Sequence, residues 1–361
     1  MKHIYISSGE ASGDLLGADL AQHLLQKDPT LKLTGMGGEK MRAAGVDIIF
    51  DGHALSIIGI IEIFFSLPKI LWTWFQIKHY LKREKPSVII FIDFPDTHFR
   101  LLKTAKKIGA KIHYYVSPQI WAWRYHRIHT LKKYIDCMAV LFSFEEKIYR
   151  DAGIPVIFVG HPLGKMANTC NTAKPVDKNT VALFPGSRRG ELQHHLPIMI
   201  KAAAFITKQK PEMQFVLVLA DHFDPTKIQL PEAIHVISKQ QFDLSEEKPA
   251  AAIAASGTVT LEIALEKIPF CVIYVLNPMS YWIVKQFIRI KQFSLCNIVC
   301  QKTVVKEFIQ KDAHPVIIAQ ETIQLLNNAP YRENMIDSFS TLPKALNHPK
   351  GFKQWIDDIV S

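Results

Sequence analysis

The chain has no uninterrupted apolar run of twenty residues, no Cys-x-x-Cys pair, no Asp-x-Asp and no block of five basic residues. Its most apolar stretch, residues 55–75, is cut by Glu62, Pro68 and Lys69. A spanning helix needs roughly 20 mostly apolar residues, so this segment is not expected to cross a membrane. Five cysteines (Cys137, Cys170, Cys271, Cys296, Cys300) are odd in number, and Cys296 and Cys300 have no second pair to complete a zinc site. They read as buried thiols of a reducing compartment. Without Asp-x-Asp the usual carboxylate clamp for a metal–diphosphate complex is missing, so arginine and helix dipoles are expected to carry a leaving diphosphate. Met1 and Lys2 run straight into a short strand and a Gly-rich loop, which does not read as a signal peptide. Neither an internal repeat nor a low-complexity stretch is present.

At 361 residues the chain exceeds the size at which one core keeps growing, so two domains are expected. An apolar share of 48% against a charged share of 21% is globular. The net charge of +10 calls for an anionic partner. Nucleic acid, an acidic membrane surface and a phosphorylated substrate all qualify, and charge alone does not separate them.

Short apolar runs alternate with helical patterns throughout, the mark of parallel α/β layers. Strands are expected at 3–7, 32–35, 87–93, 111–116, 137–141 and 156–159, with Leu15, Leu16, Leu20, Leu24 and Leu25 at helical spacing after Ser12, a cap candidate. A polar, aperiodic segment at 169–179 reads as a linker between a first domain, 1–168, and a second, 180–340. In the second, strands are expected at 181–184, 214–219, 233–237, 250–254 and 270–275, and helices at 191–208 and 259–266. The tail 341–361 contains an amphipathic helix pattern at 351–360 that is expected to pack back on the first domain. Two doubly wound halves of this kind bind a ligand in a cleft where strand C-termini converge.

Five motifs fall at strand-to-helix junctions. Gly9, Glu10, Ala11, Ser12, Gly13 and Asp14 follow the first strand, with Gly17 beyond; small residues there let backbone N–H groups approach an anion. The pattern is neither a dinucleotide loop nor a Walker A motif. Asp93, Phe94, Pro95, Asp96, Thr97 and His98 end an apolar strand, and Asp96 reads equally as a general base or as a helix cap. Ser117 to Arg124 (SPQIWAWR) packs Trp121, Trp123 and Arg124 into four positions. Pro185, Gly186, Ser187, Arg188 and Arg189 suit a diphosphate cradle, and Ser256, Gly257 and Thr258, with Glu262 one turn on, suit a sugar or ribose. The pairs His194–His195 and His126–His129 lack metal-ligand spacing and read as solvated helix faces.

These blocks resemble the lipid-A-disaccharide synthase family. Residues 9–14 (GEASGD), 35–45 (GMGGEKMRAAG), 118–124 (PQIWAWR), 158–163 (FVGHPL), 185–188 (PGSR) and 256–262 (SGTVTLE) occur in the family's order, as do Asn297, Glu307 and Gln310. The resemblance implies a GT-B fold and a glycosyltransferase. It implies inverting transfer of 2,3-diacylglucosamine from UDP-2,3-diacylglucosamine to the primary hydroxyl of 2,3-diacylglucosamine 1-phosphate, with no cofactor or metal. Asp96 would then be the base, with Glu10 and Arg188 as further catalytic residues. Gly186, Ser187, Arg188, Ser256, Gly257, Thr258, Glu262, Asn297, Glu307 and Gln310 would hold the donor. Ser12, Gly13, Asp14, His98, Gln119, Trp121 and Trp123 would line the acceptor side. The chain departs from the family pattern at Thr97–His98 (Phe–Asn in the family), Ser143 (Pro) and Cys296 (Pro).

With diacylated substrates, the charge and the 55–75 segment join into one expectation: a cytoplasmic enzyme, peripheral on an anionic inner-membrane surface. Phe64, Phe65, Leu67, Trp72 and Trp74 would contact lipid, beside Lys69 and Lys78. A homodimer stays open. The rival readings are another GT-B enzyme, such as a UDP-sugar epimerase or sugar transferase, and a nucleic-acid-binding protein. The latter is opposed by Glu10, Asp14, Asp93 and Asp96, which would repel phosphate.

Overall fold

A computed structural model describes residues 1–52, 60–122, 124–166, 174–228, 230–277, 281 and 292–361, with the backbone alone at 60–69 and 227. The chain divides into two compact units, Met1–His161 with His348–Ser361, and Pro162–Asn347.

In the first unit seven strands pair in parallel: β1 (His3–Ser8), β2 (Lys32–Gly37), β3 (Asp47–Asp51), β4 (Val88–Ile92), β5 (Lys111–Tyr115), β6 (Cys137–Val140) and β7 (Val156–Phe158). Their order is β3-β2-β1-β4-β5-β6-β7. Strand β4 (VIIFI) is buried at every position, as expected for a parallel strand covered on both faces. The crossovers carry α1 (Ala11–Lys27), α2 (Glu39–Ala43), α3 (Ile60–Glu84), α4 (Pro95–Lys107), α5 (Arg127–Tyr134) and α6 (Ser143–Asp151). The C-terminal helix Pro349–Val360 completes this unit. Its fully buried Trp355 donates from Nε1 to His113 Nδ1 at 3.0 Å and packs 4.9 Å from Tyr115. Lys2 Nζ donates to Val360 O at 3.0 Å, and Lys111 pairs with Asp358 at 2.9 Å.

The second unit begins with α7 (Pro162–Met166) and continues through β8 (Val176–Phe184), α8 (Arg189–Gln209), β9 (Gln214–Leu219), β10 (Ile234–Ser238), α9 (Lys239–Leu244), β11 (Lys248–Ala255), α10 (Val259–Leu265) and β12 (Phe270–Tyr274). Helix Leu295–Cys300, strand β13 (Glu307–Ile309) and helices Pro315–Asn327, Ala329–Phe339 and Leu342–Leu346 follow. The order is β10-β9-β8-β11-β12-β13, again parallel. In each sheet the winding direction reverses between two adjacent strands, β1 and β4 in one, β8 and β11 in the other. Ligands of open α/β sheets bind outside strand carboxyl ends at such a reversal.

Some boundaries differ from the sequence reading. Strand β3 escapes it because acids stand at both ends and only alternate residues are half-buried. Strand β13 is three residues long, too short to show periodicity. Residues 176–179, expected in the linker, extend β8, and 167–173 lie outside the described residues. Helix Leu342–Leu346 stays with the second unit, so only the chain from His348 belongs with the first. Helix α3 runs on through Pro68, yet among the described residues no helix is long and apolar enough to cross a membrane.

Candidate active site

The loops after β1 and β4 flank the reversal in the first sheet. Helix α1 starts at Ala11, so Ser12 lies inside it, exposed, and its side chain caps nothing. Half-buried Glu10 takes the cap position, also without a side-chain bond. The glycines serve packing. A Cβ at Gly13 would strike Ser8 Oγ, and one at Gly17 would lie 2.6 Å from Met41 Sδ. Asp14, expected beside the acceptor, is buried and turned inward, accepting from Gly38 N at 2.7 Å, Lys40 N at 3.1 Å and Met41 N at 3.2 Å. It holds the start of α2, where a negative charge meets the free N–H groups of a helix end.

After β4, Asp93 and Phe94 both take φ of 48°, and α4 opens at Pro95. Two successive non-glycine residues in the left-handed region are costly, and such conformations collect at functional sites. The turn leaves Asp96 in the first helical turn with its side chain 75% exposed. Asp96 is not the cap. Its Oδ1 accepts from Arg127 Nη2 at 2.5 Å and Arg124 Nη1 at 3.4 Å. Arg127 is itself fixed over the Phe99 ring at 4.9 Å.

His98, expected to face Asp96 or the acceptor, is fully buried instead. Its Nδ1 lies 2.6 Å from Asp93 O, which can only accept, so Nδ1 carries the proton and Nε2 accepts from Ser7 Oγ at 2.9 Å. Burial drives its pKa down to about 3, so the ring is neutral. Its work is to hold the strained turn against β1.

The 117–124 loop leaves β5 through Val116 at φ 65°, and Arg124 sits at φ 55°. Gln119 is exposed; Trp121 is half-buried, edge-on to Phe144 at 5.2 Å, and donates from Nε1 to Glu145 Oε1 at 3.1 Å. Trp123 lies outside the described residues.

In the second unit, the loop after β8 turns through Gly186 at φ 111° into α8. Ser187 and Arg188 are exposed, the Arg188 side chain by 68%. Their N–H groups donate to Glu191 Oε2 at 3.0 and 3.2 Å, so this carboxylate stands where an incoming anion would bind. His195, expected on a solvated face, is buried. Its Nδ1 donates to Pro185 O at 2.8 Å and its Nε2 accepts from Val275 N at 2.9 Å, tying the loop after β8 to the end of β12. Burial lowers its pKa and keeps it neutral. After β11, Ser256 Oγ donates to Phe293 O at 2.6 Å, Thr258 is exposed, and a Cβ at Gly257 would meet nothing within 4 Å. Glu262 pairs with Lys239 at 3.0 Å.

Asn297, Glu307 and Gln310, expected to touch the donor, act inward in this structure. Asn297 uses its whole amide: Nδ2 donates to Val305 O at 2.8 Å and Glu307 Oε1 at 2.7 Å, while Oδ1 accepts from Val304 N and Val305 N. Glu307 also accepts from Phe293 N and Ser294 N at 2.8 Å each. Gln310 brackets Leu276 through its N–H and its carbonyl. A charged acceptor with buried donors is the strong kind of hydrogen bond, and here it fixes backbone beside Ser256.

Among the described residues one donor cluster has metal-like proximity: His113, Cys137 and Asp358, within 4.8 Å of one another. The chemistry does not fit a cation. An indole N–H only donates, so the bond from Trp355 claims the His113 Nδ1 lone pair and puts the proton of the neutral ring on Nε2, the atom facing Asp358 at 4.0 Å. Burial pushes the Cys137 thiol up to about 12, so it too keeps its proton. The cluster seats the C-terminal helix.

Arg127 and Glu145 are residues to which sequence reasoning gave no role, and His195 is one it placed on a solvated face. A Glu three positions beyond Phe142 at a helix start was the available signal for Glu145. For His195 it was the apolar company of Leu196 and Met199, both buried.

A family model described as lipid-A-disaccharide synthetase matches residues 4–350. The lipid-A-disaccharide synthase of Coxiella burnetii (strain Dugway 5J108-111) is 44% identical over 358 residues, covering 96% of this chain and 94% of that protein. The chain belongs to the lipid-A-disaccharide synthase family. It is therefore a glycosyltransferase of lipid A biosynthesis, and its fold is GT-B-like. Among solved structures, the UDP co-structure of S. aureus MnaA gives a TM-score of 0.66 at 13% identity, covering 99% of this chain and 96% of that one. The UDP-GlcNAc 2-epimerase from Neisseria meningitidis, bound to UDP-GlcNAc, gives 0.63 at 15% identity, covering 100% and 98%. At such identities these two share the fold alone. Family membership, not fold, separates the synthase from the epimerase reading.

Proposed function

We propose that this synthase transfers 2,3-diacylglucosamine, with inversion, from UDP-2,3-diacylglucosamine to the primary hydroxyl of 2,3-diacylglucosamine 1-phosphate. The observation that carries the residue assignment is Asp96, a carboxylate held by two arginines at the sheet reversal with most of its side chain exposed. Asp96 takes the proton of the acceptor hydroxyl as its oxygen attacks the anomeric carbon. The bond to UDP breaks on the opposite face, and the diphosphate leaves with its charge on Arg188 and the start of α8. There the diphosphate competes with Glu191 for the Ser187 and Arg188 N–H groups. Glu10 and Ser12 serve the acceptor from the start of α1. Ser256, Gly257, Thr258 and Glu262 serve the nucleotide sugar, the open space above Gly257 giving it room. Asn297, Glu307 and Gln310 support this side by holding backbone. The test is UDP release from UDP-diacylglucosamine with and without the acceptor, in detergent and a chelator. Acceptor-dependent release with a disaccharide phosphate formed supports the reading. Release that ignores the acceptor overturns it.

A second reading rests on α3. Leu71, Trp72 and Phe75 are exposed, the last two by 60% each, and the Trp72 and Phe75 rings stack at 5.7 Å. Large exposed apolar side chains on one helix near Lys78, Lys82 and Arg83 suit a peripheral contact with anionic lipid at the cytoplasmic face. Trp74 does not join them, since it is half-buried beneath the Arg100 guanidinium, 4.2 Å away. Phe64, Phe65 and Leu67 lie outside the described side chains. The protein is expected to co-sediment with vesicles containing anionic lipid, and a Trp72→Ser, Phe75→Ser variant to lose most of that binding. Equal sedimentation of both proteins would remove α3 from the contact.

A further inference from the structure

Glu145 has no part in the transfer just described, yet it is one of the few carboxylates sealed from water, at 2% exposure. Burying a carboxylate is costly unless donors surround it. Capping α6 through Phe142 N, 3.2 Å from Oε2, accounts for one oxygen, but a cap at a helix start works as well in solvent. The other oxygen accepts the Trp121 indole N–H at 3.1 Å. The Ser117 hydroxyl lies 2.6 Å from the Tyr149 hydroxyl on α6. Both ends of the loop's first half are thus tied to α6, Ser117 through Tyr149 and Trp121 through Glu145. Phe144, the neighbour of Glu145, closes the edge of the same indole.

Three residues beyond Trp121 the backbone reaches Arg124, at φ 55°, whose guanidinium contacts Asp96. The clamp therefore sets where the loop delivers an arginine to the proposed base. We infer that Glu145 is a positioning residue for acceptor transfer, acting through Trp121 on the 117–124 loop and hence on Asp96; this rests on the acceptor reading above. Glutamine at this position cannot replace it, because one of its two ends is an NH2 that would face an N–H donor.

The test compares the full-length wild type with Glu145→Gln, Trp121→Phe and the double variant, measuring KM for each substrate, kcat and UDP affinity. Glu145→Gln is expected to raise the acceptor KM about tenfold while donor KM and UDP affinity hold, as for the loss of one buried charge-assisted bond. Trp121→Phe keeps the ring but removes the N–H, and is expected to reproduce most of that effect. In the Trp121→Phe background the Glu145 change should then add less than twofold. Independent, multiplying effects would overturn the inference, as would an unchanged acceptor KM in Glu145→Gln. Should Glu145→Gln not fold, Trp121→Phe decides alone, because an unchanged acceptor KM there removes the path through the indole. A wild type without acceptor-dependent release would instead sink the functional reading beneath it.

Discussion

Side chains that look alike in the sequence divide by direction. Asp14 and Asp96 are both acids in the first turn of a helix after a sheet strand, but Asp14 is spent on three backbone donors while Asp96 stays largely exposed. Asp96→Asn is expected to lower transfer roughly 10²- to 10⁴-fold, the range of a lost general base, with UDP affinity intact by calorimetry. Arg188→Ala, on the other unit, should do the reverse and weaken UDP roughly ten- to hundredfold. Near-normal turnover of Asp96→Asn would assign the base elsewhere. The sequence made the chemistry-bearing motifs legible because glycine, proline and charge cluster at strand ends. It could not show direction. Asn297 and Glu307 stand in family order whether they touch a nucleotide or each other, and only the fold brings them within 2.7 Å. His98 likewise becomes a buried neutral brace once β1 brings Ser7 against it.

At the scale of elements, the parallel strands were readable because burial on both faces makes them continuous apolar runs such as β4 and β11. Strands β3 and β13 lack that mark, the first only alternately half-buried between two acids and the second three residues long, and so were invisible. The C-terminal helix was legible in pattern, and its attachment has one dominant residue. Trp355→Ala removes the largest fully buried side chain of that helix and leaves the His113 ring without its donor. Such truncations cost about 3–5 kcal/mol, and an orphaned buried nitrogen adds to the cost. The first unit is expected to melt earlier while UDP still binds, a split that differential scanning calorimetry with and without UDP would register. Coincident loss of both would mean that the two units melt as one.

For the molecule as a whole, pH acts through groups that burial has shifted. His98, His113 and His161 have folded pKa values of about 3, 4 and 4, below the ordinary 6.5, because burial disfavours their charged form. Their contribution is complete above pH 6.5 and is lost as the pH falls toward the folded values, since the unfolded chain takes up protons that the folded one refuses. Glu145 opposes them. Burial raises it to about 7 from 4.5, so in that window the folded chain holds one proton that the unfolded chain lacks. His195 and His3 are lowered in the same way, and Glu266 is raised like Glu145. The histidines still outnumber the carboxylates, so acidification costs roughly 1.4 kcal/mol per pH unit for each uncompensated proton. Tm should therefore drop steadily from pH 6.5 to 5, and a flat profile would show that these rings are charged in the folded protein.

The return of His348–Ser361 to the first unit also fixes a timetable. During synthesis the strand bearing His113 and Tyr115 leaves the ribosome long before Trp355 exists to cover it, because the whole second unit is translated in between. At about 5–20 residues per second that interval is roughly 10–40 s. For its duration the nascent first unit carries an apolar slot with no cover, open to chaperones and to other chains, and a message that ends early would leave it so permanently.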